Sequence, residues 1–399
     1  SKRNLASFVQ LPGSELQLRH AWGEARLVGN QTGIKQKMAQ VHLLGEQSAG
    51  KKTVPLLSQE KQRYAGHNGI QTVSFFSAGR NSGGMGSCLG LMRDHVRARA
   101  TELMKANPWV CGHIVGSQSL EHSPTVTDAD IDSVLLFPNK LAEFNRETPY
   151  EALNLEVLKL AGIASASSKK CKAGNAPIVK IVVIPISEAE VALCFSMSHF
   201  IVDGHTYYKL FNMLCSTGPI ESMIIDRPLQ TEYDAIEQRL SGPELLKYGA
   251  GLSFIKHIVW NNALVKQPYS GIMCQYLDDA AVKTAKENSP LSCGGGGAGG
   301  SGATTVPYVT TNDLLVSLIG RVTTVDFLMQ TINYRNREPT LTDLHAGNYE
   351  NVIGYDEAGY SRAAEVRQSL LAAPYGNIKR LPGFCEKVRM GIYTSWLFP

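Results

Sequence analysis

The chain has 399 residues, 43% of them hydrophobic and 19% charged, with a formal net charge of +4. That is the balance of a folded globular protein, since disorder needs far less apolar content, and so small a charge gives no electrostatic handle for nucleic acid or a membrane surface. A chain this long exceeds one ordinary core, so two domains of roughly 150–200 residues are expected.

The opening SKRNLASFVQ has no apolar core of a secretory signal and no initiator Met, so a presequence or further chain is expected ahead of it. Asn30-Gln31-Thr32 is a lone glycosylation sequon of the kind that arises by chance. SGGMGSCLG (82–90) departs from Gly-x-Gly-x-x-Gly and has no strand pattern feeding it, so it is not read as a phosphate loop. Leu91, Met92, Val96, Leu103 and Met104 keep helical spacing until Asn107-Pro108 stops them, and VCGHIVGS after them reads as a short strand. A second helix is expected over 150–163. PIVKIVVIPIS (177–187) and VALCFSMSH (191–199), with a polar EAE between, read as a hairpin.

The stretch 218–250 is polar, with several Pro and Gly, and is expected to be a crossover. It divides an N-terminal domain, 1–217, from a C-terminal one, 251–399. LSCGGGGAGGSGATT (291–305) is a low-complexity loop. TTNDLLVSLIGRVTTV (310–325) starts on an N-cap candidate and turns helical, and DFLMQTINYRN (326–336) reads as a buried strand. No run approaches the ~20 apolar residues of a membrane-spanning helix. Strands and helices mix without regular βαβ spacing, which favours an α/β fold with mixed sheets in two halves. The eight cysteines are scattered, with no Cys-x-x-Cys or nearby His pair, so no metal site is expected. They read as free thiols of a reducing compartment, cytoplasmic or organellar.

In VALCFSMSH both alternating sets are apolar or small, so the strand is expected to be buried on both faces. It delivers His199 to a strand end. Tyr207, Leu210, Phe211 and Leu214 form one helix face beyond it, with Asp203 as N-cap and Gly204 allowing a tight backbone. Singly, these are a core histidine, a cap and a turn. Together they stand at a strand-to-helix corner, where a fold presents a side chain to a cleft. A neutral imidazole there can take a proton from a hydroxyl or amine. His205, in the first helical turn, is expected to be exposed.

His199-Phe200-Ile201-Val202-Asp203-Gly204 resembles the His-x-x-x-Asp-Gly motif of the chloramphenicol acetyltransferase-like superfamily, which includes BAHD plant acyltransferases, trichothecene acetyltransferases and condensation domains. Three further stretches follow in the family's order: ANPWVCGHI (106–114), TTNDLLVSLIGRV with INYRNREPTL and HAGN (310–348), and IYTSWLFP (392–399). The last resembles the BAHD Thr-Ser-Trp strand. Ser198 stands where condensation domains carry a second histidine, so the CoA-dependent branch fits better. The chain runs three residues past Trp396, short of the BAHD Asp-Phe-Gly-Trp-Gly loop, so a C-terminal domain that is incomplete or reduced is expected.

The resemblance implies two similar mixed-sheet α/β domains with an interdomain channel, and transfer of an acyl group from acyl-CoA to a small-molecule alcohol or amine. It implies His199 as general base, with the Trp396 indole N–H and Thr394 at the oxyanion, though Trp396 also reads as a core aromatic. Asp203 is implied to pair with Arg335 and fix the turn, with Gly204 giving it room. No metal, permanent cofactor or nucleic acid is implied; acyl-CoA is a co-substrate. The alternative is a catalytically silent member of the fold, acting as a binding or structural subunit of a larger complex.

Overall fold

The structure, a computed structural model, describes residues 50–62, 69–77, 88–149, 152–153, 156, 171, 176–259, 277–293 and 304–394. They divide into two compact units. One holds the described residues up to 228 together with Leu341–Asn348, and the other holds Leu229–Thr340 and the residues from 349 onward.

The first unit begins with strand β1 (Lys52–Pro55), helix α1 (Ser58–Gln62) and strand β2 (Ile70–Ser77). Helix α2 (Cys88–Ala106) follows, then a 3-10 turn over Pro108–Cys111, β3 (His113–Val115), β4 (Ser119–His122), α3 (Asp128–Val134) and β5 (Leu135–Leu136). Strands β6 (Val179–Pro185) and β7 (Glu190–Met197) form the expected hairpin, and α4 (Gly204–Cys215) closes the run. A small sheet has the order β1-β4-β3, and the main one the order β2-β7-β6-β5.

β7 is an interior strand of that main sheet. It pairs antiparallel with β6, from Val179 opposite Met197 to Pro185 opposite Val191, and with β2, from Ile70 opposite Met197 to Ser77 opposite Glu190. Its two side-chain sets enter two cores, as the lack of polar alternation required. Val191, Leu193, Phe195 and Met197 pack with Val96, Leu103 and Leu210, while Ala192 and Cys194 pack with Val182, Ile184 and Phe144. β2 corrects the expectation that no strand leads toward 82–90. Its QTVSFFS pattern is weak alone, and pairing along the whole of β7 makes it a strand. Residues 78–87 lie outside the described residues, as does most of the helix expected over 150–163.

The second unit contains α5 (Gln230–Ser241), α6 (Pro243–Gly249), α7 (Leu252–Val259), α8 (Asp279–Glu287), α9 (Thr311–Thr323), β8 (Phe327–Asn333), β9 (Glu350–Tyr355), α10 (Glu357–Tyr360), α11 (Ala363–Gln368) and β10 (Met390–Tyr393). Its sheet has the order β10-β8-β9, β10 parallel and β9 antiparallel to β8. The stretch 218–250 thus carries two helices, α5 and α6. Buried Tyr233, Ile236 and Leu240 give α5 an apolar face at i, i+3 and i+7 that the polar composition around them obscured. α9 starts where expected, with a capping box between Thr310 and Asp313 that satisfies two backbone donors. The buried Asp313 also pairs with Arg367 at 2.6 Å. Residues 294–303 of the glycine-rich stretch lie outside the described residues. Among those described, no helix is long and apolar enough to cross a membrane, and no group of three His, Cys, Asp or Glu is placed to hold a metal ion.

Candidate active site

β7 ends at Met197, so His199 stands two residues beyond it, in the turn that leads to α4. The turn is closed by the Ile201 N–H donating to the Ser198 carbonyl at 3.1 Å. Buried Phe200, Ile201 and Val202 pack in the main core. The His199 ring is only partly buried. Its Nδ1 lies 3.0 Å from the Val202 carbonyl oxygen. A carbonyl only accepts, so this contact places the proton on Nδ1 and makes Nε2 the acceptor nitrogen of the neutral ring.

Asp203 is the N-cap of α4, its Oδ1 accepting the Thr206 N–H at 3.0 Å. It is only 1% exposed, so the cap is buried rather than facing water. Gly204 is the first helical residue of α4, and its φ is not among the positive ones. A left-handed backbone is therefore not what requires a glycine at this position. His205 is less open than expected, its side chain 19% exposed, with Nε2 donating to the Asp343 carbonyl at 3.1 Å. Farther along α4, Tyr207 donates to the Phe195 carbonyl at 2.7 Å. Burial pushes its phenol well above the usual range, so it stays a neutral donor tying the helix back to β7.

Four residues at this corner have no assigned role in the sequence reading: Glu60, Arg227, Thr206 and Asn348. Glu60 of α1 and Arg227 form an ion pair at 2.8 Å with side chains 0% and 1% exposed. The Arg227 guanidinium spends its five N–H donors on Glu60 through Nε and Nη2 and on three carbonyls, those of Ile201, Ile225 and Ala346. Both Glu60 oxygens accept further, from the Leu57 N–H and from the backbone and side-chain nitrogens of Asn348. Asn348 also donates to the His199 carbonyl at 3.1 Å. Beside it, Asp203 N–H donates to the Gly347 carbonyl, and the Thr206 hydroxyl bonds both the N–H and the carbonyl of Gly347. Only Asn348 had a signal, as the last letter of HAGN. Glu60 sits in SQEKQ and Arg227 in IIDRP, which look like solvated polar segments.

Within the second unit, Thr394 follows directly on β10, and its Oγ1 accepts from the Thr331 hydroxyl on β8 at 2.9 Å. Thr394 therefore keeps its own hydroxyl proton to give elsewhere. Arg335 is buried, donates to Asn333 Oδ1 at 3.0 Å, and stacks its guanidinium over the Tyr349 ring at 4.9 Å. Trp396 lies outside the described residues.

No protein-family model matches the chain, and no curated protein matches its sequence. Solved structures do match. TRI101 of F. graminearum, complexed with coenzyme A and T-2 mycotoxin, superposes with a TM-score of 0.51 at 13% identity, over 81% of this chain and 75% of that one. The same protein complexed with ethyl coenzyme A gives 0.50 at 13% identity, over 82% and 76%. The α/β fold with mixed sheets expected from the sequence is therefore correct. It is the chloramphenicol acetyltransferase-like fold, shared with TRI101.

Proposed function

We propose that this chain is an acyltransferase that moves an acyl group from an acyl-CoA thioester to a hydroxyl or amine of a small-molecule acceptor, with His199 as general base. The observation that carries the reading is the Nδ1 contact to the Val202 carbonyl, which makes Nε2 the proton acceptor. The acceptor's O–H or N–H proton moves to Nε2 as its O or N bonds to the thioester carbonyl carbon. The tetrahedral intermediate then collapses, the C–S bond breaks, and the imidazolium returns the proton to the coenzyme A sulfur. No covalent enzyme intermediate is needed. A general base contributes typically ~10²–10⁴-fold.

The developing oxyanion needs a donor placed in advance; in this reading it is the Trp396 indole N–H, with the Thr394 hydroxyl as its neighbour. Asp203, capped against α4, is read as the partner of Arg335, and Gly204 as the start of the helix that carries the cap. The fold shared with TRI101, which is solved with coenzyme A and T-2 mycotoxin, supports a coenzyme A thioester as donor. Incubation with a panel of acyl-CoAs and candidate alcohols and amines, following free thiol, tests the reading. Acceptor-dependent thiol release that disappears in His199→Ala is expected; release unaffected by that substitution would assign the chemistry elsewhere.

A further inference from the structure

We infer that the Glu60–Arg227 ion pair and Asn348 form a positioning device that holds the His199 ring in its base-competent orientation. The inference rests on the reading of His199 as general base. Removing two charges from water is costly unless geometry and hydrogen bonding are nearly complete, and here they are. The pair is almost wholly buried, every guanidinium N–H has an oxygen acceptor, and both carboxylate oxygens take additional N–H donors.

What the pair joins gives it its role. Through the Ile201 carbonyl it holds the His199 turn. Through the Ala346 carbonyl and Asn348 it holds the segment Leu341–Asn348, and through Leu57 N–H the start of α1. Asn348 then ties that segment to the carbonyl of His199 itself. The turn is thus clamped at residues 199 and 201, one on each side of Phe200. Val202, whose carbonyl sets the tautomer of the ring, follows immediately. A shift of this backbone would move the Val202 carbonyl off Nδ1 and let the ring rotate or exchange tautomers. A planar five-donor guanidinium is suited to this; an ammonium, with three donors from one atom, cannot serve Glu60 and three carbonyls together. Arg227 and Glu60 are positioning residues, acting through the loop rather than touching substrate.

The test uses the full chain as Arg227→Lys and Asn348→Ala, each labelled with 15N-histidine, with the His199 ring signals assigned by their loss in His199→Gln. In the unsubstituted protein the ring is expected as a single Nδ1–H tautomer. In both variants it is expected to move toward the mixture of a free imidazole. On an accepted acyl-CoA and acceptor pair, kcat is expected to fall by up to about a hundredfold, the loss a misplacement of ~1 Å can produce, with KM changed much less than kcat. Ring signals that stay those of the single tautomer in a folded variant would overturn the inference, whatever the loss of stability. If Arg227→Lys does not fold, Asn348→Ala decides, since it removes the bond to His199 without unpairing the buried charges. Altered ring signals in a protein that transfers no acyl group would uphold the positioning and refute the acyltransferase reading.

Discussion

At the scale of single residues, one backbone carbonyl bears on the tautomer of His199. Val202 accepts from Nδ1, which leaves Nε2 as the unprotonated nitrogen of the neutral ring and the nitrogen proposed as the base. His199→Ala is expected to lower kcat by about 10²-fold or more while leaving the urea midpoint nearly unchanged, since the ring is only partly buried. Near-full turnover would end its assignment as base. Asp203 separates two readings by magnitude. Loss of an N-cap alone costs about 0.5–2 kcal/mol, whereas breaking a buried ion pair costs about 3–5 kcal/mol. Asp203→Asn keeps an oxygen for the Thr206 N–H and is expected to keep much of the turn's geometry and some activity. Asp203→Ala is expected to cost the larger amount if Arg335 is its partner; urea unfolding giving only the smaller one would reduce Asp203 to a cap. Trp396→Phe is expected to lower kcat more than it raises KM, because an oxyanion donor acts mainly in the transition state. A change in stability alone, with kcat unaltered, would return Trp396 to the core.

At the scale of elements, β7 and α4 explain why the histidine is where it is. β7 fills two cores at once, so its register cannot slip by one residue without exchanging bulky and small side chains between them. The turn after it is therefore delivered to a fixed place. Elements with strong periodicity were legible in the sequence: α2, β6, β7, α4, α9 and β8. β2 and α5 were not, since each needs its partner to reveal which side is buried. In the second unit, α9 meets α10 at Gly320, where a Cβ would stand 2.5 Å from a ring carbon of Tyr360. Tyr360 is buried and donates its hydroxyl to the Val325 carbonyl, so it has little room to yield. Gly320→Ala should improve helix propensity by about 1 kcal/mol on an open helix. Here overpacking, typically about 1–3 kcal/mol, is expected to win and lower the urea midpoint. A stabilised variant would show that the ring moves freely.

For the molecule as a whole, burial decides the reactivity of the described thiols. Burial alone raises Cys194 and Cys215 to about 12, and burial with the Asp130 charge does the same to Cys111. A raised thiol pKa means that the protonated, unreactive form persists until the pH climbs to that value. At pH 8 in the native state, iodoacetamide is expected to spare these three and to modify Cys385, which is exposed; peptide mass mapping reads this directly. Rapid labelling of Cys194 at pH 8 would contradict the burial of β7. The candidate site divides in the same way. His199, Asp203 and Gly204 were legible because strand, turn and helix are local, encoded within about twenty residues by alternation, a cap and a glycine. Asn348 was legible only as part of a pattern, without its role. Glu60 and Arg227 were not legible at all, because 166 intervening positions separate two polar residues that look solvated until the fold buries both. Sequence alone determined which residue would follow the strand at the corner, since local periodicity needs no knowledge of distant chain. Only tertiary structure decided what holds it there, because a buried charge can be recognised only once the partner that makes its burial tolerable has been brought to it.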